Sequence, residues 1–509
     1  MNRLFSLDKK VLFALAALAT LLLFIISPDS YTHDLYAHYD SAWFFMCGKA
    51  WMEGLTPYID FADSKGPLLW LIYGIGYLIS PYNYIGVFWL SCLWYSIIFY
   101  ITYLTARIFL SGRRQAVVCA VLMALAYFNP KFHYETRAED WCMLFMVLSF
   151  YLVCRLLYTD TLDQRGRHWV FFILGACFGL MVMIKFNVAA MQSVFILFAA
   201  YHTIRHRQGV IWPALLVLLG IFVACIPFVL YLMYRGCFQA FIQEYFINTF
   251  HTTSSKQGFL SQMVYYWKIV FTFPMRIPFF LLLVVSCILI GFKLEKYKAF
   301  PIISTMFIYN LTIMHAYWDY YFSSCAICCF WAVVYILKVL PRYTARVKPL
   351  PAALCVIAIL TAFQIVMDRQ GKYNLFWNDG ASRESFYTAE YYISQIPHPT
   401  IINASSHEEG HGILSKALPG TKYWSKQNDS LEDMDKSHIE GIKSLSSDFI
   451  IKNWCHVELF DDDFILSSGY PYRYAKYVFS KKKLKAPAKP IHVTNWEVLT
   501  KQRPKALQQ

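Results

Sequence analysis

Long apolar blocks separated by short polar segments dominate the first 366 residues of this 509-residue chain. A hydrocarbon core about 30 Å thick takes roughly 20 helical residues to cross, and most of these blocks approach that length. They predict helices near residues 11–27, 84–108, 116–129, 141–158, 169–184, 188–204, 210–234, 278–292, 301–315, 320–337 and 350–366. The pattern is typical of an all-α polytopic membrane protein with about eleven transmembrane helices.

One further apolar run, GPLLWLIYGIGYLIS at 66–80, is shorter than the others. About 15 residues are few for a span, and the run contains Trp and Tyr, as helices at a membrane interface do. We therefore expect it to lie at the outer surface or to dip into it.

Residues beyond 366 have the composition of a soluble domain. Strand-like runs (TIINAS, DFIIKNW, YAKYVFS) alternate with helical runs (SFYTAEYYISQI, SHIEGIKSL), and such alternation indicates a mixed α/β arrangement. We predict a transmembrane domain at 1–366 and a small extracytoplasmic α/β domain with a basic tail at 367–509.

Charge is scarce and unevenly distributed. The chain is 58% hydrophobic and 15% charged, with a formal net charge of +14. The basic residues cluster in short loops such as SGRRQ, RHRQG and KLEKYK, as the positive-inside rule requires, so no nucleic-acid partner is expected. With those loops in the cytoplasm, the segments 28–83, 129–140 and 235–277 lie outside, together with everything after 366.

Ionisable side chains gather in these outer segments. Because charges at membrane depth are costly, such clusters are candidate functional sites. The candidates are Asp40, Asp63, Lys65, Glu135, Arg137, Glu139, Asp140, Lys185 and His315. Asp40 opens the amphipathic stretch DSAWFFMCGKAWMEG, where it would cap a surface helix. Lys65 precedes a Gly-Pro pair at a helix start, a setting that suits an anionic phosphate.

This layout fits one chemistry well. A lipid-linked phosphosugar presents its phosphate at headgroup depth, where a lysine stabilises it as a leaving group. A carboxylate on the other side of the sugar accepts the proton of the acceptor hydroxyl. No nucleotide-binding glycine loop is needed, since such a donor carries no nucleotide.

The segment YDSAWFFMCGKAWMEGLTPYIDFADSKGPLLW resembles the GT-C superfamily of membrane glycosyltransferases, which includes protein O-mannosyltransferases and aminoarabinose transferases of lipid A. ETRAED, IKFN and HAYWDYY add weaker similarity. The resemblance implies a GT-C-like fold, a polyprenyl-phosphate-sugar donor and inversion at the sugar carbon. It also implies that Asp40 is the catalytic carboxylate and that Lys65 contacts the lipid phosphate.

For the second-loop carboxylate, the resemblance offers three acids. Glu139 is favoured over Glu135 and Asp140, and Asp63 is a secondary candidate. Arg137, Lys185 and His315 would bind phosphate or sugar. Many relatives have Asp-Glu where this chain has Asp40-Ser41, which leaves the use of a divalent metal open.

The sequence thus indicates a hexosyl- or pentosyltransferase that acts at the outer face of a bacterial cytoplasmic (inner) membrane. Its acceptor would be a glycan, a lipid or a protein of the cell envelope. Two alternatives remain open: a transporter or flippase of lipid-linked saccharides, and an enzyme like the O-antigen ligases or polymerases. Transporters place charges near mid-membrane, whereas these charges gather at one face.

Overall fold

The computed structural model describes residues 7–30, 35, 40–128, 136–250, 261, 263–265, 267–268, 276–313, 319–339, 380–404, 410–425, 432–452, 461–475, 477–487 and 491. The chain divides into two compact units. The helical unit contains Met1–Ile26, Ser91–Phe228 and Ser255–Met367. The mixed unit contains Ser27–Leu90, Val229–Ser254 and Asp368–Gln509.

The described part of the chain is mostly helical. Its α-helices are α1 (Lys9–Ile26), α2 (Asp40–Met52), α3 (Pro67–Ile79), α4 (Ile85–Phe109), α5 (Arg113–Tyr127), α6 (Ala138–Tyr158), α7 (Gln164–Val182), α8 (Phe186–Arg205), α9 (Ile211–Tyr234), α10 (Phe238–Phe241), α11 (Arg276–Lys293), α12 (Phe300–Ile313), α13 (Cys329–Val339), α14 (Gly380–Ile393), α15 (Glu432–Lys443) and α16 (Asp462–Ser467). A π-helix, Ile242–Asn248, follows α10, and a 3₁₀-helix, Asp319–Cys328, precedes α13.

Six helices within the described ranges are long and apolar enough to cross a membrane: Lys9–Ile26, Ile85–Phe109, Ala138–Tyr158, Phe186–Arg205, Ile211–Tyr234 and Tyr321–Lys338. The chain is therefore a multi-pass membrane protein, while the expected number of about eleven spans is not confirmed. The helix predicted at 350–366 lies outside the described residues. The short run at 66–80 forms α3, whose 13 residues extend about 20 Å, less than the hydrocarbon thickness.

Small residues let helices of the helical unit approach closely, as they do in membrane bundles. A Cβ built at Gly175 of α7 would lie 2.0 Å from the carbonyl oxygen of Val217 in α9, so only glycine fits there. Between α6, α7 and α8, the amide of Gln192 donates to Ser149 Oγ at 2.9 Å and to the Leu174 carbonyl at 3.1 Å. This buried amide is thus hydrogen-bonded where water is excluded.

A five-stranded sheet lies in the mixed unit. Its strands are β1 (Thr400–Asn403), β2 (Leu418–Pro419), β3 (Phe449–Ile451), β4 (Tyr472–Tyr474) and β5 (Val478–Ser480), in the order β2-β1-β3-β5-β4. β1 pairs in parallel with β2 and β3, and β5 pairs antiparallel with β3 and β4. Ile402, Ile450 and Phe479 share a buried core with Ile442 of α15. The predicted strands and helices of this region are confirmed.

Candidate active site

Helices α2 and α3 pack together because two glycines meet in their contact. A Cβ at Gly48 would lie 2.4 Å from the backbone nitrogen of Gly74 and 2.8 Å from the carbonyl oxygen of Trp70. Backbone atoms cannot give way as a flexible side chain can, so Gly48 is required for this approach. Residues Ser41 to Ala50 of α2 are all buried, whereas Asp40, the first residue of the helix, is partly exposed.

The turn between these helices contains a strained tyrosine. Tyr58 has φ +64°, a conformation that a bulky side chain adopts only when its surroundings hold it there. Its ring is buried, with its centroid 4.6 Å from Trp70 and 5.2 Å from Phe241. Its hydroxyl donates to the Lys65 carbonyl at 2.8 Å, so the packed ring positions the start of α3.

Lys65 lies just before the start of α3, beside Asp63. Its Nζ is 3.7 Å from Asp63 Oδ1 and 5.9 Å from the ring centroid of Phe44. Phe44 follows Asp40 by four residues, which is one turn along the same face of α2. The Lys65 side chain keeps 19% of its surface exposed, and the positive end of the α3 dipole lies next to it. Asp40, Asp63 and Lys65 thus form one cluster within the mixed unit.

Asp63 is the buried member of this cluster, with 6% of its surface exposed. Burial raises the pKa of its carboxyl above the usual range because the charged form loses its hydration. The Lys65 ammonium opposes this rise, and the Asp40 carboxylate adds to it. Both predicted functional groups therefore act electrostatically on the same carboxyl.

A second set of candidates lies in the helical unit, where Asp140 caps α6. One carboxylate oxygen accepts from the backbone N–H of Arg137 at 2.9 Å, and the other accepts from the Tyr95 hydroxyl at 2.8 Å. Both oxygens are engaged in holding the start of α6 against α4. Asp140 is thus a cap in this structure, as its position in the first turn favours.

Glu139 and Lys185 form a buried ion pair in the same unit. The Lys185 ammonium donates to Glu139 Oε1 and also lies 4.6 Å from the ring centroid of Tyr321. The Glu139 side chain is 2% exposed and the Lys185 side chain is 10% exposed. Lys185 precedes α8 directly, so the pair links the beginnings of α6 and α8.

The structure accordingly divides the predicted site residues into two groups. Asp40, Asp63 and Lys65 belong to the mixed unit. Arg137, Glu139, Asp140 and Lys185 belong to the helical unit. Glu135 and His315 lie outside the described residues. The roles assigned to all of them stay predictions.

The sequence analysis did not identify a buried network of charged residues around Lys49 of α2. The fully buried Lys49 ammonium donates to the Gly412 carbonyl at 2.9 Å. Glu390, also fully buried, accepts from the backbone N–H groups of Gly412 and Ser415 at 2.7 and 2.9 Å. A lysine inside the apolar run FFMCGKAWM was the available signal, since such a charge needs a partner. Glu390 gave none, because its partners, the backbone N–H groups of Gly412 and Ser415 and the imidazole of His411, lie in a different segment of the chain.

No three His, Cys, Asp or Glu side chains stand close enough together to hold a metal ion within the ranges that the structure describes. At positions 40 and 41 this chain has one carboxylate, Asp40, followed by a serine, where the Asp-Glu pair of many relatives has two carboxylates. The use of a divalent metal thus gains no ligand set from these residues.

Residues 64–231 match the sequence model of the family described as dolichyl-phosphate-mannose-protein mannosyltransferase. Curated protein sequences gave no match. Among solved structures, ArnT from Cupriavidus metallidurans bound to undecaprenyl phosphate is similar at 11% identity and a TM-score of 0.59, with 93% of this chain and 99% of that chain covered. The apo form of that protein gives 12% identity, a TM-score of 0.60 and coverage of 92% and 97%.

The fold is therefore that of a multi-pass membrane protein and is similar to that of ArnT. In this chain the family match begins at residue 64, between Asp63 and Lys65. Together, the sequence match over residues 64–231 and the shared fold support the predicted membership in the GT-C superfamily of membrane glycosyltransferases.

Proposed function

We propose that this protein transfers a sugar from a polyprenyl-phosphate donor to an acceptor of the cell envelope. In this reaction the acceptor hydroxyl forms a bond to the anomeric carbon as the bond from that carbon to the phosphate oxygen breaks. The polyprenyl phosphate leaves with the bonding electron pair, and the acceptor proton passes to Asp40. Attack from the face opposite the phosphate inverts the anomeric centre.

One observation carries this proposal: the Lys65 ammonium lies over Phe44, one helical turn from Asp40 on the same face of α2. A cation for the leaving phosphate and a carboxylate for the acceptor proton thus belong to one cluster. The family match over 64–231 and the ArnT-like fold support the donor class. The ArnT structure with undecaprenyl phosphate supports a lipid phosphate as the group that Lys65 contacts.

Each residue of the cluster has a distinct part in the proposed reaction. Lys65 binds the phosphate with the help of the α3 N-terminus, because both favour negative charge. Asp40 is the base. Asp63, held beside Lys65, limits how the ammonium can move. Outside this cluster, Glu139 of the helical unit stays the candidate for the second-loop carboxylate, and Lys185 balances its charge.

The membrane and the acceptor are the finer parts of the proposal. A bacterial cytoplasmic membrane, with the site and the C-terminal region at its outer face, is supported by the basic loops between the apolar blocks. The acceptor would be a glycan, a lipid or a protein at that face. The sugar would be a hexose or a pentose.

The test uses the full chain in nanodiscs with a radiolabelled polyprenyl-phosphate sugar and an envelope extract as acceptor source. Asp40→Asn should lower the transfer rate by a factor of about 10² to 10⁴, the usual contribution of a general base, while donor binding persists. Lys65→Ala should weaken donor binding by a factor of about ten or more, because a charge-assisted hydrogen bond to the phosphate is lost.

Two exposed residues of the mixed unit supply matched controls. Asp463→Asn and Lys483→Ala make the same changes of charge at surface positions, and both variants should behave as the wild type. Full transfer by Asp40→Asn would remove the base from the proposal. With the protein in sealed liposomes, movement of labelled donor across the bilayer without formation of a new glycoside would identify a flippase instead.

A further inference from the structure

The mixed unit has an open groove beside the turn that leads to Lys65. It is lined by residues 53–55 and 59–60 on one wall and 419–422 on the other, and its volume is about 510 Å³. That volume lies within the range of about 300–1,000 Å³ typical of small-ligand sites. We propose that this groove, named the 53–60 groove, binds a neutral, hydroxyl-rich saccharide. The inference rests on the proposed function, in which that saccharide is the acceptor.

The walls of the 53–60 groove are preformed. The Arg235 guanidinium donates to the Gly54 carbonyl at 2.9 Å and to Thr56 Oγ1 at 2.7 Å. The two walls are joined by a backbone hydrogen bond from Ala62 N–H to the Lys422 carbonyl at 3.0 Å. A ligand therefore meets a largely built site, and little ordering free energy opposes binding.

Two carboxylates on one wall offer hydrogen-bond acceptors. The Tyr77 hydroxyl donates to Glu53 Oε1, and the backbone N–H of Thr56 donates to Asp60 Oδ2 at 2.6 Å. Each carboxylate keeps its other oxygen without a hydrogen bond inside the described ranges. Both residues are exposed, so those oxygens can accept from ligand hydroxyls, and such charge-assisted bonds are the stronger ones.

The charge balance of the groove disfavours an anionic ligand. Lys422 on the opposite wall is already paired, since its Nζ donates to Glu244 Oε1 at 2.5 Å and Glu244 is 6% exposed. The acids of the 53–60 wall are thus not neutralised by that lysine. Arg235, held on the same wall by Gly54 and Thr56, offsets one of the two acids. The wall keeps a net negative charge, which opposes the binding of a phosphate or an acidic glycan.

An extended peptide is also disfavoured. β2 lies at the edge of the sheet, but its N–H groups do not point outward for strand addition. The backbone N–H of Leu418 donates to the Pro399 carbonyl and that of Gly420 to the Ile401 carbonyl. Pro419 between them has no N–H, so a peptide strand would find no outward donor on β2.

The apolar part of the groove fits a sugar ring better than a small cation. Ile59 follows the strained Tyr58 and is 46% exposed, while Leu55 is half-buried on the same wall. A pyranose or furanose ring has C–H groups that cover such side chains and hydroxyls that reach Glu53 and Asp60. A metal ion or an ammonium would leave the Ile59 side chain exposed to water.

The groove also lies on the same turn as the candidate phosphate site. Tyr58, which immediately precedes Ile59 and Asp60, donates through its hydroxyl to the Lys65 carbonyl. Groove and phosphate site are thus connected through one buried ring. This arrangement suits an acceptor bound next to the donor.

The test measures saccharide binding directly, without catalysis. The probe is the neutral oligosaccharide fraction released from envelope glycolipids by mild acid, labelled at its reducing end and titrated onto the full chain in nanodiscs by fluorescence polarisation. Glu53→Gln/Asp60→Asn keeps both internal hydrogen bonds and removes both charges. It should weaken binding by a factor of about ten, and Ile59→Ala should also weaken it. Glu440→Gln, an exposed acid on α15, should bind as the wild type does.

Unsaturable binding, or equal affinity in wild type and groove variants, would overturn the inference. So would groove-dependent binding of spermidine in place of the saccharide. In the transfer assay the groove variants should raise the acceptor KM, whereas the control Glu440→Gln should leave it unchanged. Equal acceptor KM values with intact transfer would overturn this inference alone, whereas a wild type that transfers no sugar would overturn the proposed function.

Discussion

The buried pair of Glu139 and Lys185 is the best place to separate a structural from a chemical role. Lys185→Met removes the ammonium and leaves the Glu139 carboxylate, which is 2% exposed, without its charge partner. Breaking a buried ion pair from one side costs about 3–5 kcal/mol, because the remaining charge loses both water and counterion. We expect the free energy of unfolding of Lys185→Met to fall by that amount.

The double variant Lys185→Met/Glu139→Gln should recover most of this loss. A neutral pair of similar volume has no charge to desolvate, and such replacements are often close to neutral in stability. The measurement is unfolding of the purified protein in mixed micelles, followed by tryptophan fluorescence, with both single variants completing the cycle. A loss below about 1 kcal/mol in Lys185→Met, the value of an exposed pair, would refute the reasoning.

Activity of the same double variant then decides what Glu139 does. The comparison is with Lys185→Met, which lacks the same ammonium. If Glu139 is the second-loop carboxylate of the proposed reaction, the double variant is stable but transfers sugar no faster than Lys185→Met. If Glu139 only balances Lys185, the double variant regains both stability and transfer relative to Lys185→Met, and Glu139 is no longer a site residue.

Two further outcomes follow from the contact between α2 and α3 and from the cluster of Asp40, Asp63 and Lys65. Gly48→Ala should strongly destabilise the protein and lower the rate of sugar transfer, because the added Cβ would lie 2.4 and 2.8 Å from backbone atoms. The control Gly209→Ala should do neither, since its Cβ would have no atom within 4 Å. Thermal unfolding of both variants tests this, and equal unfolding midpoints would contradict it. Because burial raises the pKa of Asp63, its favourable protonated form is present at low pH and lost as the pH rises through the folded pKa. The stability of wild type relative to Asp63→Asn should therefore fall as the pH rises above about 4, the usual pKa of an aspartate in an unfolded chain, and a pH-independent difference would contradict the burial of this carboxyl.

The buried network behind α2 links the candidate base to the C-terminal part of the chain. Lys49 and Asp40 lie on the same 13-residue helix, and Lys49 is held by Gly412, which is held in turn by Glu390. The mixed unit brings these three distant segments into one compact body. The C-terminal sheet is thus part of the same unit as Asp40 and Lys65. From the sequence, residues 367–509 were expected to form a separate domain.

Local sequence determined most of the helices and strands. Apolar blocks near 20 residues long have no stable alternative to helix in a bilayer, because every backbone N–H and C=O must be satisfied within the segment. For the same reason α4, α6 and α9 begin and end within a few residues of the predicted limits. Short runs rich in β-branched and aromatic residues in the C-terminal region likewise identified β1, β3 and β5.

Tertiary structure decided which charges meet. Glu139 and Lys185 lie 46 residues apart, and Lys49 and Gly412 lie 363 apart, so no local pattern contains either pair. Asp140 and Glu139 are neighbours in sequence, yet one caps α6 and the other pairs with Lys185, because successive helical side chains point in different directions. A single sequence lists the ionisable groups near a membrane face, but the partners of each group depend on helix packing, since that alone sets the distances through which charges act.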